Sequence, residues 1–301
     1  MHLRHLILVL PVAIGSAIPL PSRASPPAQS PAAPILKAAH PAVDEGFRLL
    51  YSLKFEEARA KFAGEVQADP DSVLGHAAFA AGYLFEEFYR QGVLTSDFFL
   101  DDKKFLVGIE GRPDPQRRKA FLDANDKARR LAEARLARDK YDAGALLTLS
   151  LTTGMQADYL AVLEKKQIAS LKYIKEAEEY AKRLVALQPD ADDAYLALGA
   201  SNYIIGSLPG YKRFFLWFGG IRGQKELGME QLARTAKGGH YVRPFAKILL
   251  ALACLREQQA ARARVLLQEL AAEFPENPLF ARELALLDER EKKSGARSGS
   301  R

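Results

Sequence analysis

From residue 41 to residue 292 apolar side chains recur every three to four positions, broken by short polar gaps and two longer irregular stretches. That period belongs to helices with one buried face. Pro41 opens the first, marked by Phe47, Leu50 and Tyr51. The next spans 54–68, with Phe55, Ala58, Phe62 and Val66 on one stripe and Asp69-Pro70 behind it as a stop. Further helices are expected over 72–89, 116–139, 142–163, 165–187, 192–203, 244–255, 260–274 and 277–291, with an Ala/Leu-rich stretch following residue 232, about eleven in all. The irregular stretches are 91–115 and 206–223. The second, GSLPGYKRFFLWFGGIRG, is the most unusual in the chain. It crowds Tyr211, Phe214, Phe215, Trp217 and Phe218 among Lys212, Arg213 and Arg222, between flanking glycines.

The helices come in a register. Residues 46–70 supply Gly46, then Ala58-x3-Phe62, then Pro70. Pro275 ends the 260–274 helix at the matching place, and Pro189 ends a third, with Ala177 and Ala181 in the slots of Ala58 and Phe62. A small residue lets antiparallel helices approach, an aromatic fills the gap to the next pair, and Pro halts the helix. With these residues the chain resembles the tetratricopeptide family. Pro70 and Pro189 lie 119 residues apart and Pro189 and Pro275 lie 86 apart. Neither is a multiple of the family's ~34-residue repeat, so an insertion is expected in each interval. The resemblance implies an all-α, right-handed α-solenoid of about five helix pairs with insertions, closed by a charged C-terminal capping helix. Residues 207–232 also resemble a block of the eukaryotic tetratricopeptide-like family that includes the inclusion body clearance protein of yeast; no function is carried from that.

Composition changes the picture mainly at the ends. Eight of the 16 prolines lie in the first 41 residues. His2, Arg4 and His5 precede an apolar run from Leu6 to Ile18, and Ser22-Arg23-Ala24 offers a cleavage point, the layout of a secretory signal. Gly15-Ser16-Ala17 is a second candidate, and an uncleaved anchor is the alternative. Residues 1–24 are thus expected as signal, 25–41 as a disordered Pro/Ala-rich linker, 42–292 as the repeat domain and 293–301 as a polar tail. The expected location is periplasmic or cell-envelope. Cys254, the one cysteine, excludes an internal disulfide. The net charge of +6 loses Arg4 and Arg23 with the signal, and what remains is too mild to call for nucleic acid.

Chemistry finds few candidates. His40, His76 and His240 lack metal-ligand spacing. Asp97, Asp101 and Asp102 lack the Gly and terminal Glu of a calcium loop. Residues 219–223 are not a phosphate loop, and no Gly-x-Ser-x-Gly is present. Glu86-Glu87 and Glu178-Glu179 read as solvent faces. The basic helix at 116–139 alternates Arg and Lys with Asp123, Asp126, Glu133 and Asp139 and reads as a solvated face, or else as a contact for an anionic membrane or acidic partner. No enzyme activity, cofactor or metal is expected, and the sequence sets no oligomeric state.

Tetratricopeptide domains usually hold peptides on the concave face, and the resemblance maps that face to Phe47, Leu50, Leu84, Leu196, Tyr203, Phe245, Ile248 and Leu252. It is apolar and lacks the Lys, Asn and Arg with which the family's chaperone-tail binders clamp a carboxylate. An apolar surface of that extent needs covering. Phe98, Phe99, Phe105, Phe214, Phe215 and Trp217 could fold back and fill it. Alternatively, Tyr211, Lys212, Arg213, Phe214, Phe215, Trp217 and Phe218 form an exposed contact for a partner or lipid, or a disordered lid. The expected work is that of an exported scaffold or adaptor binding a protein or peptide in the cell envelope, with peripheral membrane or apolar-ligand binding through 206–223 as the alternative.

Overall fold

The computed structural model describes residues 40–101, 108–207 and 223–298. Those residues form α1 (Pro41–Tyr51), α2 (Phe55–Ala68), α3 (Val73–Arg90), α4 (Ser96–Leu100), α5 (Pro115–Arg138), α6 (Ala143–Asp158), α7 (Gln167–Leu187), α8 (Tyr195–Gly206), α9 (Lys225–Gly238), α10 (Arg243–Arg256), α11 (Ala260–Glu273) and α12 (Pro278–Ser298). The chain is an all-α solenoid. Its pairs are α1/α2, α3/α5, α6/α7, α8/α9 and α10/α11, each packed on the next, with α12 against α11. Among the described residues, the short α4 inside the first insertion and α9 after the second have no range in the periodic reading. α12 continues past residue 292 into the stretch expected as a tail.

The register expected around Gly46 is made by contact. A Cβ on Gly46 would lie 2.3 Å from the Phe62 ring, so Phe62 can fill the α1–α2 gap only where residue 46 has no side chain. At the α8–α9 crossing the main chains themselves meet. A Cβ on Gly228 would be 2.4 Å from the Tyr203 amide nitrogen, and one on Gly199 2.8 Å from that of Leu232.

Three of the pairs' first helices, α1, α3 and α10, end alike. Leu53, Gly92 and Gln258 are left-handed, with φ of +63°, +68° and +59°. The amide of the following residue reaches back five positions: Lys54 to Leu49 O at 2.9 Å, Val93 to Phe88 O at 2.9 Å and Gln259 to Cys254 O at 2.8 Å. This is the Schellman closure, which satisfies carbonyls left over at a helix end. After α6 the backbone widens into a π-turn (Tyr159–Leu163). There Lys165 is left-handed at +58°, and Lys166 reaches six positions back, to Leu160 O at 2.8 Å.

Both insertions leave and return within pairs, between α3 and α5 in the second and between α8 and α9 in the fourth, so antiparallel packing brings the helix ends that flank them to one rim. The turns between pairs form the other. Ser72 Oγ accepts from the Gly75 amide and Asp142 Oδ1 from that of Ala145, and each caps the next helix. Buried Asp193 accepts from the amides of His240, Tyr241 and Val242 at 2.8–3.3 Å.

The core joins the two ends of the array. One cluster contains Val43, Phe47, Leu50 and Tyr51 of the first pair together with Leu250, Leu267, Leu270 and Phe274 of the last. Phe47 meets Tyr241 at 5.6 Å, Tyr51 meets Phe274 at 5.6 Å and Phe85 meets Phe245 at 5.3 Å between ring centroids. Polar contacts follow the same seam. The Tyr51 hydroxyl donates to Tyr241 O at 3.1 Å, and Asn277 Nδ2 donates to Tyr51 O at 2.8 Å. Lys54 pairs with Glu276 at 2.7 Å, and His240 lies 2.8 Å from Asp44.

Candidate functional site

The residues expected on an inner face are packed into the core. Leu50, Leu84, Leu196 and Tyr203 are buried, as is Phe47, while Phe245, Ile248 and Leu252 are half-buried. Phe47, Leu50, Leu196, Tyr203, Phe245 and Ile248 belong to the cluster that joins the array's ends, and Leu84 to the one beneath the first insertion. The Tyr203 hydroxyl donates to Ala253 O and Glu257, and burial raises its pKa to about 12.

The first and last helix pairs meet across these residues and cover many of them. Phe98 and Phe99 do fold inward, against Phe88, Ile109 and the π-turn, and α4 is pinned to the last helices. Glu283 accepts the Ser96 amide, Arg290 pairs with Asp97 at 2.7 Å, and Arg256 donates to Phe99 O at 2.7 Å. Phe105, the 211–218 contact residues and the signal and linker up to residue 39 lie outside the described residues.

Glu86 and Glu87 correct the sequence reading. They are 5% and 2% exposed, and a cation from another helix reaches each of them. Arg59 of α2 bonds Glu86, whose other oxygen takes Arg90 Nε at 2.9 Å. Glu87 accepts Arg117 Nε at 2.7 Å, Gln91 Nε2 at 2.8 Å and the Asp114 amide at 3.1 Å. Glu87, a buried carboxylate satisfied in this way, ties Gln91 to Asp114 at the two ends of the first insertion. The basic helix α5 is used in the same manner. Arg118 binds Glu164 at 2.7 Å, Arg129 binds Glu176 at 2.9 Å and Arg135 binds Asp142 at 2.7 Å. These arginines stitch α5 to its neighbours.

Four of the six exposed large hydrophobics among the described residues lie on the insertion rim, with Tyr141 and Val265 elsewhere. Tyr89 ends α3, Ile168 begins α7, Ile204 lies in the last turn of α8 and Leu227 in the first of α9. Antiparallel packing brings those four helix ends to that rim. A cleft of about 550 Å³ opens there, lined by Gly206, Ser207, Gly223, Gln224, Lys225, Glu226, Arg256 and Glu257. Its charges are partly internal, with Lys225 Nζ 2.6 Å from Glu257. Among the described residues no group of three His, Cys, Asp or Glu could hold a metal, and no helix is long and apolar enough to cross a membrane.

Ile168 was the signal missed in the sequence. Ala177, Ala181 and Leu184 set the buried phase of α7, and Ile168 falls on the opposite side of that phase. One further group stands out. Asp158, the last residue of α6, has a carboxyl that burial pushes up to about 7.

No protein-family model matches the chain, and no curated protein matches it. Among solved structures it is similar to a thermophilic TPR protein of Thermus thermophilus, with 12% sequence identity, a TM-score of 0.43, and coverage of 83% of this chain and 98% of that one. At that level the likeness concerns the arrangement of helices and brings no ligand or partner with it.

Proposed function

We propose that this protein is an exported, non-catalytic scaffold that binds another protein in the cell envelope through its insertion rim. The observation that carries the reading is the division of surfaces. The concave face, where a helix-pair array would take a peptide, is spent on joining Phe47 and Tyr51 to Tyr241 and Phe274. The rim instead collects the helix ends from which both insertions depart, together with Ile204 and Leu227. Exposed aliphatic and aromatic residues gathered in one region mark contact surfaces when the rest of the surface is polar. The signal-like first 24 residues support export, and the coarse part of the proposal, a repeat fold that presents a protein-binding surface, does not depend on it.

Photo-crosslinking residues placed at Ile204 and Leu227, with Tyr141 and Val265 as exposed positions elsewhere, test the reading in the native host. A discrete adduct from the rim positions alone is the expected result. Equal adducts from all four, or none from the rim, refute it. Amino-terminal sequencing of the mature protein tests export separately; a chain that keeps residues 1–24 and stays in the cytosol removes that part.

A further inference from the structure

The first half of α7 breaks the rule that a surface helix turns its apolar side inward. The buried side carries Ser170, Ala177, Ala181 and Leu184. At about 100° per residue, Ile168, Leu171, Lys172 and Lys175 fall within one arc on the other side. Ile168 is 87% exposed. Leu171 is half-buried and belongs to none of the core clusters. The turn before the helix adds exposed Lys165 and Lys166. Residues 164–175 thus hold four lysines and one acid, Glu164, and that acid is already taken by Arg118 and Lys166, each at 2.7 Å. Lys165, Lys172 and Lys175 make no ion pair among the described residues; Lys172 lies 5.9 Å from the Tyr173 ring centroid.

A single exposed aliphatic means little. The informative feature is its place between unpaired lysines on an outward arc, where the flexible stems can lie along an apolar layer while the ammonium groups reach anionic headgroups. Size decides between partners. The arc from Ile168 to Lys175 is about 10 Å long, far short of the ~800 Å² per side of a stable protein interface. It is enough for a shallow, charge-assisted contact with a flat surface. We propose that this face of α7 is a docking site for an anionic lipid bilayer. The site goes beyond the scaffold function and survives its failure, since neither Ile204 nor Leu227 takes part.

The experiment uses the full chain and sedimentation with phosphatidylcholine vesicles, with and without 30% phosphatidylglycerol. Binding is expected only to the anionic vesicles, falling at least tenfold at high salt. Ile168→Glu with Lys172→Glu should weaken it tenfold or more, while Val265→Glu, on an exposed apolar position of α11, should leave it unchanged; circular dichroism checks that both variants fold. The proposal is overturned by absence of binding to anionic vesicles, by equal binding to pure phosphatidylcholine, or by undiminished binding of the folded α7 variant. It is overturned too if the α7 variant alone loses crosslinking to a protein partner while vesicle binding stays intact.

Discussion

Replacing Tyr51 by Ala tests whether the two ends of the array support one another. The side chain is 5% exposed and touches three rings, two from its own end of the chain (Phe47, Phe85) and one, Phe274, from the other, while its hydroxyl bonds the Tyr241 carbonyl. Burial raises its phenol pKa well above the ordinary tyrosine range, so the hydroxyl stays a donor throughout the usable pH range. Truncating a buried aromatic costs about 3–5 kcal/mol through lost transfer energy and the cavity left behind. Leaving the Tyr241 carbonyl unpaired adds about 1 kcal/mol. The total, roughly 4–6 kcal/mol, is a large share of the ~5–15 kcal/mol that a folded domain has. Tyr51→Phe, which removes the hydrogen bond alone, should cost about 1 kcal/mol and keeps the test usable should the Ala variant fail to fold. Urea unfolding followed by circular dichroism gives the magnitudes, and amide hydrogen exchange by mass spectrometry gives the location. In an open helical array a defect in the first repeat is felt by its neighbour. In this closed one, peptides from α10 and α11 should lose protection together with those from α1 and α2. If α10 and α11 exchange as in the parent while α1 and α2 open, the closure does not couple the ends and the reasoning is wrong.

Three further outcomes follow from local geometry. Gly228→Ala should destabilise by at least ~2 kcal/mol in thermal unfolding, since the new methyl meets backbone, the Tyr203 amide, at 2.4 Å and main chain cannot step aside; a loss under ~0.5 kcal/mol would show that α8 and α9 can separate freely. Gln258→Gly, at an exposed position with φ of +59°, should raise stability by about 0.5–1 kcal/mol by removing the left-handed strain, and a lower melting temperature would contradict the Schellman closure there. Asp158 has a folded-state pKa raised to about 7 from 3.8. Between those values the native chain holds a proton that the unfolded chain has lost, so its contribution to stability falls as pH rises from about 4 to about 7, with a slope of up to ~1.4 kcal/mol per pH unit. Asp158→Asn should flatten the stability profile in that window, and an unchanged slope would show that the carboxyl ionises normally.

The repeat was legible because its defining contact is local. Gly46 and Phe62 lie sixteen residues apart, and each helix of the pair carries its own stripe, so the register could be read without the rest of the chain. The same locality explains the errors. Glu86 and Glu87 look like solvent residues until Arg59 and Arg117 are brought to them from 27 and 30 positions away. The apolar inner face could be mapped helix by helix. Its cover could not, because Tyr51 meets Tyr241 across 190 residues and no periodic signal reports such a meeting. Ile168 is a different case: its phase against Ala177, Ala181 and Leu184 was readable, and the lysines on either side disguised it as an ordinary polar helix start.

The two rims differ in what an insertion would break, and this gives a physical reason for where the extra chain lies. The turns between pairs hold one repeat in position on the next. Asp193 takes three amides from the start of α10, Thr235 Oγ1 donates to Asp192 O at 2.8 Å, and Arg234 Nε donates to Asp192 at 2.7 Å. Lengthening such a turn would move these partners and change the angle between repeats, which the closure at Tyr51 cannot tolerate. The turns within pairs also reach other helices, as α4 does to α10 and α12, but the helix ends before them can be closed locally. A Schellman cap satisfies its own carbonyls, so the chain after it is free to leave and return. In the second pair Gly92 completes that cap, with the Val93 amide on Phe88 O, at the very start of the insertion. Loop closure adds little entropy as such a loop grows. Lengthening the chain at this rim thus changes the surface offered to partners while leaving the curvature of the array, and the contact between its ends, as they are.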